Sequence, residues 1–185
     1  MRYTLMLLFM LCGFAGAAFA VDGTYTLNPG DQIVIASFDD ERLDRELTIL
    51  PDGKIYYPVI GEIQAVGKTP PELEAFITKS LIEKKILQPG AVINVTVSHA
   101  TGNTVYVLGQ VSAPGAYTTF AKVDVMQALS LAGGLTPFAK RGSIRILRNS
   151  AQGQEVFKFD YGDVERGKHL ETNIVLQPGD TVMVP

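Results

Sequence analysis

Tryptophan is absent from this 185-residue chain, and cysteine and histidine are nearly so, with one and two copies. The lone Cys12 falls in the opening apolar segment. A chain processed beyond that segment has no thiol for a disulfide, a metal or nucleophilic attack. His99 and His169 each lack a second ligand at i+3 or i+4, so neither belongs to a cluster with zinc-ligand spacing. No Gly-x-Ser-x-Gly elbow presents a serine nucleophile. Charge of one sign is also lacking: 16 basic residues face 19 acidic ones, which excludes the basic footprint of a nucleic-acid binder. Past the first segment no apolar run approaches the roughly 20 residues of a membrane-spanning helix.

The first 20 residues have the order of a secretory signal peptide. Arg2 supplies the only charge, 5–11 is apolar, and Ala18-Phe19-Ala20 offers a small-x-small cleavage site, with Ala15-Gly16-Ala17 as a second. Gly13 and Gly16 interrupt the apolar stretch and argue against a transmembrane anchor. Cys12 follows Leu11, where a lipidation site wants a small residue, so the expected product is secreted and not lipidated. Cleavage removes Arg2 and no acid, taking 16 basic residues to 15 against 19 acidic ones, a net charge of −4.

Leu27-Asn28-Pro29-Gly30-Asp31 near the start is repeated as Leu176-Gln177-Pro178-Gly179-Asp180 near the end, each time before an apolar strand. Proline presets φ, glycine takes the positive φ that follows, and aspartate can bond backbone downstream of it. Two copies point to two β-rich modules. In the first, 32–38 is a strand, Pro51-Asp52-Gly53-Lys54 a hairpin turn between strands 47–50 and 55–59, and 61–66 another strand. Thr69-Pro70-Pro71-Glu72 is a capping box that opens a helix with Leu73, Phe76, Ile77 and Leu81 on one face and Lys84 and Lys85 at its end. Pro89-Gly90 then turns into the alternating strand 93–98. The polar stretch from His99 to Asn103 marks the module boundary, with Ala100 as its one apolar anchor.

The second module begins with strand 104–111, the turn Ala113-Pro114-Gly115 and strand 116–120. A helix capped by Asp124 carries Val125, Ala128, Leu129 and Ala132 on one face and stops at Gly133-Gly134. Strands at 143–148 and 155–159 follow, then the closing turn and last strand. Hairpin, helix and further strands are the order of a β-grasp. The fold class is α+β: two small modules, each packing a helix on one face of a sheet.

Several motifs invite chemistry and have a plainer role. The charge run 39–46 crowds carboxylates but lacks the Asp-x-Asp-x-Asp-Gly order of a calcium loop, so it reads as a solvated loop. Gly67-Lys68-Thr69 resembles the end of a phosphate loop, yet five residues separate Gly61 from Gly67 where that loop has four. Asn94-Val95-Thr96 is formally a glycosylation acceptor placed inside a strand. Tyr56, Tyr57, Tyr106, Tyr117 and Tyr161 could touch a glycan, but β-propensity explains tyrosines in strands equally well. No catalytic, cofactor, metal or ligand-binding residue is nominated. Paired carboxylates for glycoside cleavage meet in space and are not decided by spacing.

The run Tyr25-x-Leu27-x-Pro29-Gly30-Asp31-x-Ile33, with Pro51-Asp52-Gly53-Lys54-Ile55-x-x-Pro58-x-x-Gly61-x-Ile63-x-Ala65-x-Gly67-x-Thr69-x-x-Glu72-Leu73, resembles the polysaccharide export domain of Wza-like outer-membrane export proteins. Val105-x-Val107-x-Gly109-x-Val111-x-x-Pro114-Gly115-x-Tyr117, Ala132-Gly133-Gly134-Leu135 and Pro178-Gly179-Asp180-x-Val182-x-Val184-Pro185 resemble the soluble-ligand-binding β-grasp (SLBB) domain that follows it in those proteins. The resemblance implies a signal peptide at 1–20, an export domain of α/β sandwich type at 24–99 and an SLBB domain at 104–185. It further implies a non-catalytic, periplasmic part of a capsule, exopolysaccharide or biofilm export machinery, at most peripheral to the outer membrane. Implied partners are further copies of itself in a ring, the polysaccharide, an inner-membrane chain-length regulator and a separate outer-membrane channel. No cofactor and no nucleic acid is implied. Larger members carry a lipidated amino terminus and a carboxy-terminal pore helix, neither of which is recognisable here. The competing expectations are a saccharide-binding adaptor or sensor using the β-grasp half, and a glycan-cleaving enzyme.

Overall fold

The computed structural model describes residues 25–150 and 153–185, so the signal-peptide and Cys12 expectations lie outside the described residues. The first module is built on β1 (Gln32–Ser37), which pairs antiparallel with β2 (Arg45–Thr48). Alternation along β1 sends Ile33 and Ile35 fully inward, as a half-buried strand requires. The chain then forms a separate hairpin from β3 (Lys54–Tyr57) and β4 (Gly61–Gln64), followed by helix α1 (Pro70–Glu83) and strand β5 (Ile93–His99), which flanks β1 on its other side. Leu73, Ile77 and Leu81 of α1 meet Ile33, Ile35, Ile55 and Tyr57 in one core. The Tyr57 hydroxyl is satisfied there by donating to the Leu43 carbonyl at 2.7 Å.

Two expectations are corrected here. Pro51-Asp52-Gly53-Lys54 does form a hairpin turn, with Gly53 N–H on the Leu50 carbonyl at 2.8 Å and Leu50 N–H on the Lys54 carbonyl at 2.9 Å, but the strands on its two sides, β2 and β3, continue in different sheets. Ile49 is held to the β1 side, its N–H on the Asp31 carbonyl and its own carbonyl accepting from Gly30, both at 2.8 Å. Gly53, at the end of the turn, offers its carbonyl to Ala65 and Val66 just past β4. The turn therefore moves the chain from one sheet to the next. A Cβ at Gly53 would stand 2.4 Å from a Val66 methyl, which explains the glycine. Phe76 is the second correction: it shares the helical spacing of the core residues but points outward, with the Lys68 ammonium 6.0 Å from its ring centre.

In the second module β6 (Thr104–Gly109) and β7 (Gly115–Thr118) form a hairpin, α2 (Val125–Leu131) crosses the sheet, and β8 (Ile144–Ser150) and β9 (Gly153–Phe159) form a second hairpin. A five-residue helix, α3 (Tyr161–Glu165), precedes the last strand, β10 (Thr181–Val184). The strand order is β7-β6-β10-β8-β9, with β10 parallel to β6 and antiparallel to β8. This is the β-grasp arrangement expected from the chain order. Val105, Val107, Val125, Leu129, Ile146, Phe159 and Val182 form its core, separate from the first. β6 ends at Gly109, two residues before the expected end; the chain takes φ 94° there, and a Cβ would lie 2.0 Å from the Val184 carbonyl oxygen of β10, so the position calls for glycine.

Both long-helix starts follow the sequence. Thr69 accepts from Glu72 N–H while Glu72 accepts from Thr69 N–H. Asp124 and Gln127 make the same reciprocal pair on α2, the glutamine partner being visible only in the structure. Gly133 and Gly134, at φ 75° and 81°, provide the left-handed stop.

Candidate functional site

The two Pro-Gly-Asp turns share one local geometry. Asp31 N–H bonds the Asn28 carbonyl at 3.1 Å and Asp180 N–H the Gln177 carbonyl at 3.0 Å, closing four-residue turns with Gly30 at φ 93° and Gly179 at φ 86°. Those values are the type II pattern that proline followed by glycine favours. Each carboxylate folds back onto the N–H three residues upstream, at 2.8 Å in both copies. Within the turn the aspartate thus bonds the backbone just before it, not the backbone just after it as expected from the sequence.

Each turn also starts a ladder. Around Asp31 the neighbour is antiparallel, so the single residue Ile49 both donates and accepts. Around Asp180 the neighbour β6 is parallel, so Thr104 accepts from Gly179 and Tyr106 donates to Asp180, two residues apart. These are the bonding patterns that the two strand orientations impose.

The remaining carboxylate capacity is used differently. Asp180, 1% exposed, takes a bidentate Arg148, with Nε 3.0 Å from Oδ1 and Nη2 2.7 Å from Oδ2. Arg148 also donates to the Val175 carbonyl at 3.2 Å and lies over Phe157, 5.0 Å from the ring centre. The hydrogen bond to Asp180 raises the guanidinium pKa further above its ordinary value. Asp31, fully buried, has only neutral donors among the described residues: the Tyr25 hydroxyl at 2.6 Å, Asn28 N–H and Gly102 N–H at 2.8 Å. Burial, reinforced by the bond to Asp31, pushes the Tyr25 phenol well above its ordinary pKa and keeps it a donor.

Gly102 lies in the connection between β5 and β6, so Asp31 pins that connection to the first module. Thr101 adds a bond from its hydroxyl to the Gly30 carbonyl at 2.7 Å. A Cβ at Gly102 would stand 2.4 Å from the Pro29 carbonyl oxygen. On the other side, Asn103 Nδ2 donates to the Thr119 carbonyl just past β7. The polar stretch read as a boundary is a clamped strap.

Beside the strap a cleft of about 220 Å³ opens between the two halves. Tyr25 and Asn28 line one wall, Phe120 and Lys122 the other, with Val175 and Gln177 beside them. The Tyr25 and Phe120 rings stand 6.1 Å apart, tilted by 56°. Tyr25, Asn28 and Gln177 belong to or adjoin the repeated turn phrase, while Phe120, Lys122 and Val175 lie in no motif. The only signal available in the sequence was that Tyr25 and the two turns flank the modules.

The other motifs resolve as structural parts. Gly67 N–H bonds the Leu27 carbonyl at 2.9 Å and Thr69 is a helix cap, so Gly67-Lys68-Thr69 is a turn joined to the start of the described chain. In the charge run, Asp40 caps a short 3-10 turn and pairs with Arg42 at 2.8 Å, while Asp44 accepts from Ser37 N–H and Asp39 from Val92 N–H. This loop is exposed yet fastened. His99 is exposed, and His169 sits 3.3 Å from Glu171. Among the described residues no three His, Cys, Asp or Glu side chains are grouped to hold a metal. Tyr57 is core, Tyr117 and Tyr161 pack partly buried against the second core, and Tyr56 and Tyr106 are exposed. Asn94 and Thr96 occupy exposed positions of β5.

Comparison with known proteins agrees with this architecture. Residues 20–98 match the model of the polysaccharide biosynthesis/export protein family, and residues 104–160 match that of the SLBB domain. Two family domains, polysaccharide export and then SLBB, therefore lie in order along the chain. Among curated relatives, the Polysialic acid transport protein KpsD of Escherichia coli is 30% identical over 129 residues, which is 70% of this chain and 22% of KpsD. The Exopolysaccharide production protein ExoF of Rhizobium meliloti (strain 1021) is 27% identical over 143 residues, 72% of this chain and 34% of ExoF. The Capsule polysaccharide export protein BexD of Haemophilus influenzae is 29% identical over 131 residues, 71% of this chain and 31% of BexD. This chain thus spans between about a fifth and a third of the length of these relatives. No helix among the described residues is long and apolar enough to cross a membrane.

Proposed function

We propose that this protein is a non-catalytic periplasmic component that helps carry a bacterial polysaccharide toward the outer membrane. The division of labour is an export module at 24–99 and an SLBB module at 104–185, with a cleaved signal peptide at 1–20. The observation that carries the reading is the ordered pair of family matches, at 20–98 and 104–160, on a chain whose second half folds as a β-grasp. The names of the three relatives, all concerned with polymer transport or production, support the same role. The working form is a ring of copies that meets an inner-membrane chain-length regulator and an outer-membrane channel. Polymer is held weakly, because a conduit that bound tightly would not release it.

Deleting the gene and complementing it tests the role. The expected result is loss of surface polysaccharide with polymer retained inside the outer membrane, restored by the wild-type gene. Normal surface polymer in the deletion strain would overturn it. A second reading, a saccharide-binding adaptor, draws support from the cleft, and mass measurement separates the two: a ring former assembles at high concentration and an adaptor stays monomeric. New reducing ends on exopolysaccharide incubated with the pure protein would instead reveal a glycan-cleaving enzyme.

A further inference from the structure

The cleft beside the strap has the make-up of a small polar-ligand site. An aromatic surface is present in Phe120, 57% exposed, and in the tilted Tyr25 ring against it. Amides stand around it in fixed orientation: Asn28 commits Nδ2 to the Thr26 carbonyl at 2.8 Å and Asn103 commits Nδ2 to Thr119. With the nitrogens turned to backbone, the amide oxygens are positioned to accept from hydroxyls, and a primary amide nitrogen carries a second N–H besides. An apolar surface with a few oriented polar groups is the usual composition of a ligand site. Repeated C–H faces and hydroxyls on one molecule are the chemistry of a sugar ring.

Charge then narrows the class. Among the described residues Lys122 is the only charged side chain lining the cleft, and no carboxylate of theirs lines it. Asp31, which lies beneath, is fully buried and its oxygens are occupied by Tyr25, Asn28 and Gly102. An exposed ammonium beside hydroxyl acceptors and an aromatic surface favours a carboxylate-bearing saccharide over a neutral one. The charged cleft beside α3 contrasts with this: Arg145, Lys158 and His169 share it with Asp160 and Asp163, and Asp163 already pairs with Arg166 at 2.7 Å. Its charges are largely answered from within.

We infer that the cleft between the two modules binds one or two rings of an acidic polysaccharide, with Phe120 as the stacking surface and Lys122 as the carboxylate partner. A volume of about 220 Å³ is below the ~300–1,000 Å³ usual for drug-sized ligands, so contact covers a short stretch of polymer. Such a limited contact suits passage. Because the walls are fixed by the Asp31 strap and by Leu176 N–H on the Val123 carbonyl at 2.8 Å, the cleft exists before ligand arrives. The inference rests on the export reading for its cellular meaning, while its geometry stands independently.

The test is amide chemical-shift titration and calorimetry of the purified mature protein with hexasaccharides of galacturonic, glucuronic and sialic acid, and with maltohexaose as the neutral probe. At least one acidic hexasaccharide is expected to bind with shifts centred on residues 120–122 and 175–178, and at least fivefold more tightly than maltohexaose. Lys122→Ala should remove that fivefold preference, Lys122→Glu should abolish acidic binding, and Phe120→Ala should weaken every bound saccharide at least fivefold. Lys122 and Phe120 are both exposed, and unchanged melting temperatures will show that their variants fold. Failure of all three acidic probes, shifts elsewhere, equal binding of maltohexaose, or full acidic binding by Lys122→Glu would each overturn the inference. Any of these results combined with export loss on gene deletion would retire the cleft and leave the export role standing.

Discussion

Two copies of one five-residue phrase, 27–31 and 176–180, fold into the same turn and then do different work. Asp31 binds neutral donors that tie a connection down, whereas Asp180 binds a cation that ties β8 to the last strand. The local turn belongs to the phrase. What the spare carboxylate oxygen holds is decided by residues 71 positions away in one copy and 32 in the other.

The largest expected difference comes from removing the cation. Arg148→Met leaves a buried Asp180 without its counter-charge and should cost about 3–5 kcal/mol in denaturant unfolding. Adding Asp180→Asn should recover part of that loss, because no charge then stays buried. If Arg148→Met costs as little as a surface ion pair, the contrast between the turns collapses. The corresponding break at the other turn is Asp31→Ala, which strands the Tyr25 hydroxyl and two N–H groups; these are part-buried and can turn to water, so the cost is about 1–3 kcal/mol in all. Gly102→Ala attacks the same strap from the other side. Its Cβ would need the Pro29 carbonyl to move, and overpacking of this kind costs about 1–3 kcal/mol.

A pH series sharpens the comparison, since Tyr25 is part of only one turn. Its folded pKa is raised above the unfolded value of 10.0, so its contribution to stability is complete below pH 10 and is lost as pH climbs toward the folded value. Thermal melts from pH 9 to 11.5 should fall steeply for the wild type and less steeply for Tyr25→Phe; identical slopes would remove Tyr25 from the account. The smallest and most symmetric effect concerns the capping boxes. Thr69→Ala and Asp124→Ala should each cost about 1 kcal/mol, one in each module. Glu72 is held below its ordinary pKa by Thr69 N–H, so the contribution of the first box persists above the unfolded value of 4.5 and disappears as pH drops through the lower folded one.

These contrasts also mark how far a linear reading reaches. Both turns, both helix caps and the β-grasp order were legible because each rests on residues within a few positions of one another, or on the order of elements. The sheet switch at Gly53 was not, because a Pro-Asp-Gly turn looks the same whether its arms pair or separate; here Ile49 and Ala65 decide it. Phe76 shares its spacing with buried Leu73 and Ile77, and only the edge of the core shows that it lies outside. The cleft was least legible of all. Tyr25, Asn103, Phe120 and Gln177 come from four separate segments and meet only because the strap between β5 and β6 is fastened.

Hydrogen exchange at the Gly102 amide tests that fastening most directly. Its donor is fixed to Asp31 Oδ1 at 2.8 Å, so the amide should be protected in the wild type and exchange freely in Asp31→Ala, while amides of β1 and β6 keep their protection. A Gly102 amide that already exchanges at the unprotected rate in the wild type would contradict the claim that the first Pro-Gly-Asp turn holds the two modules in one geometry.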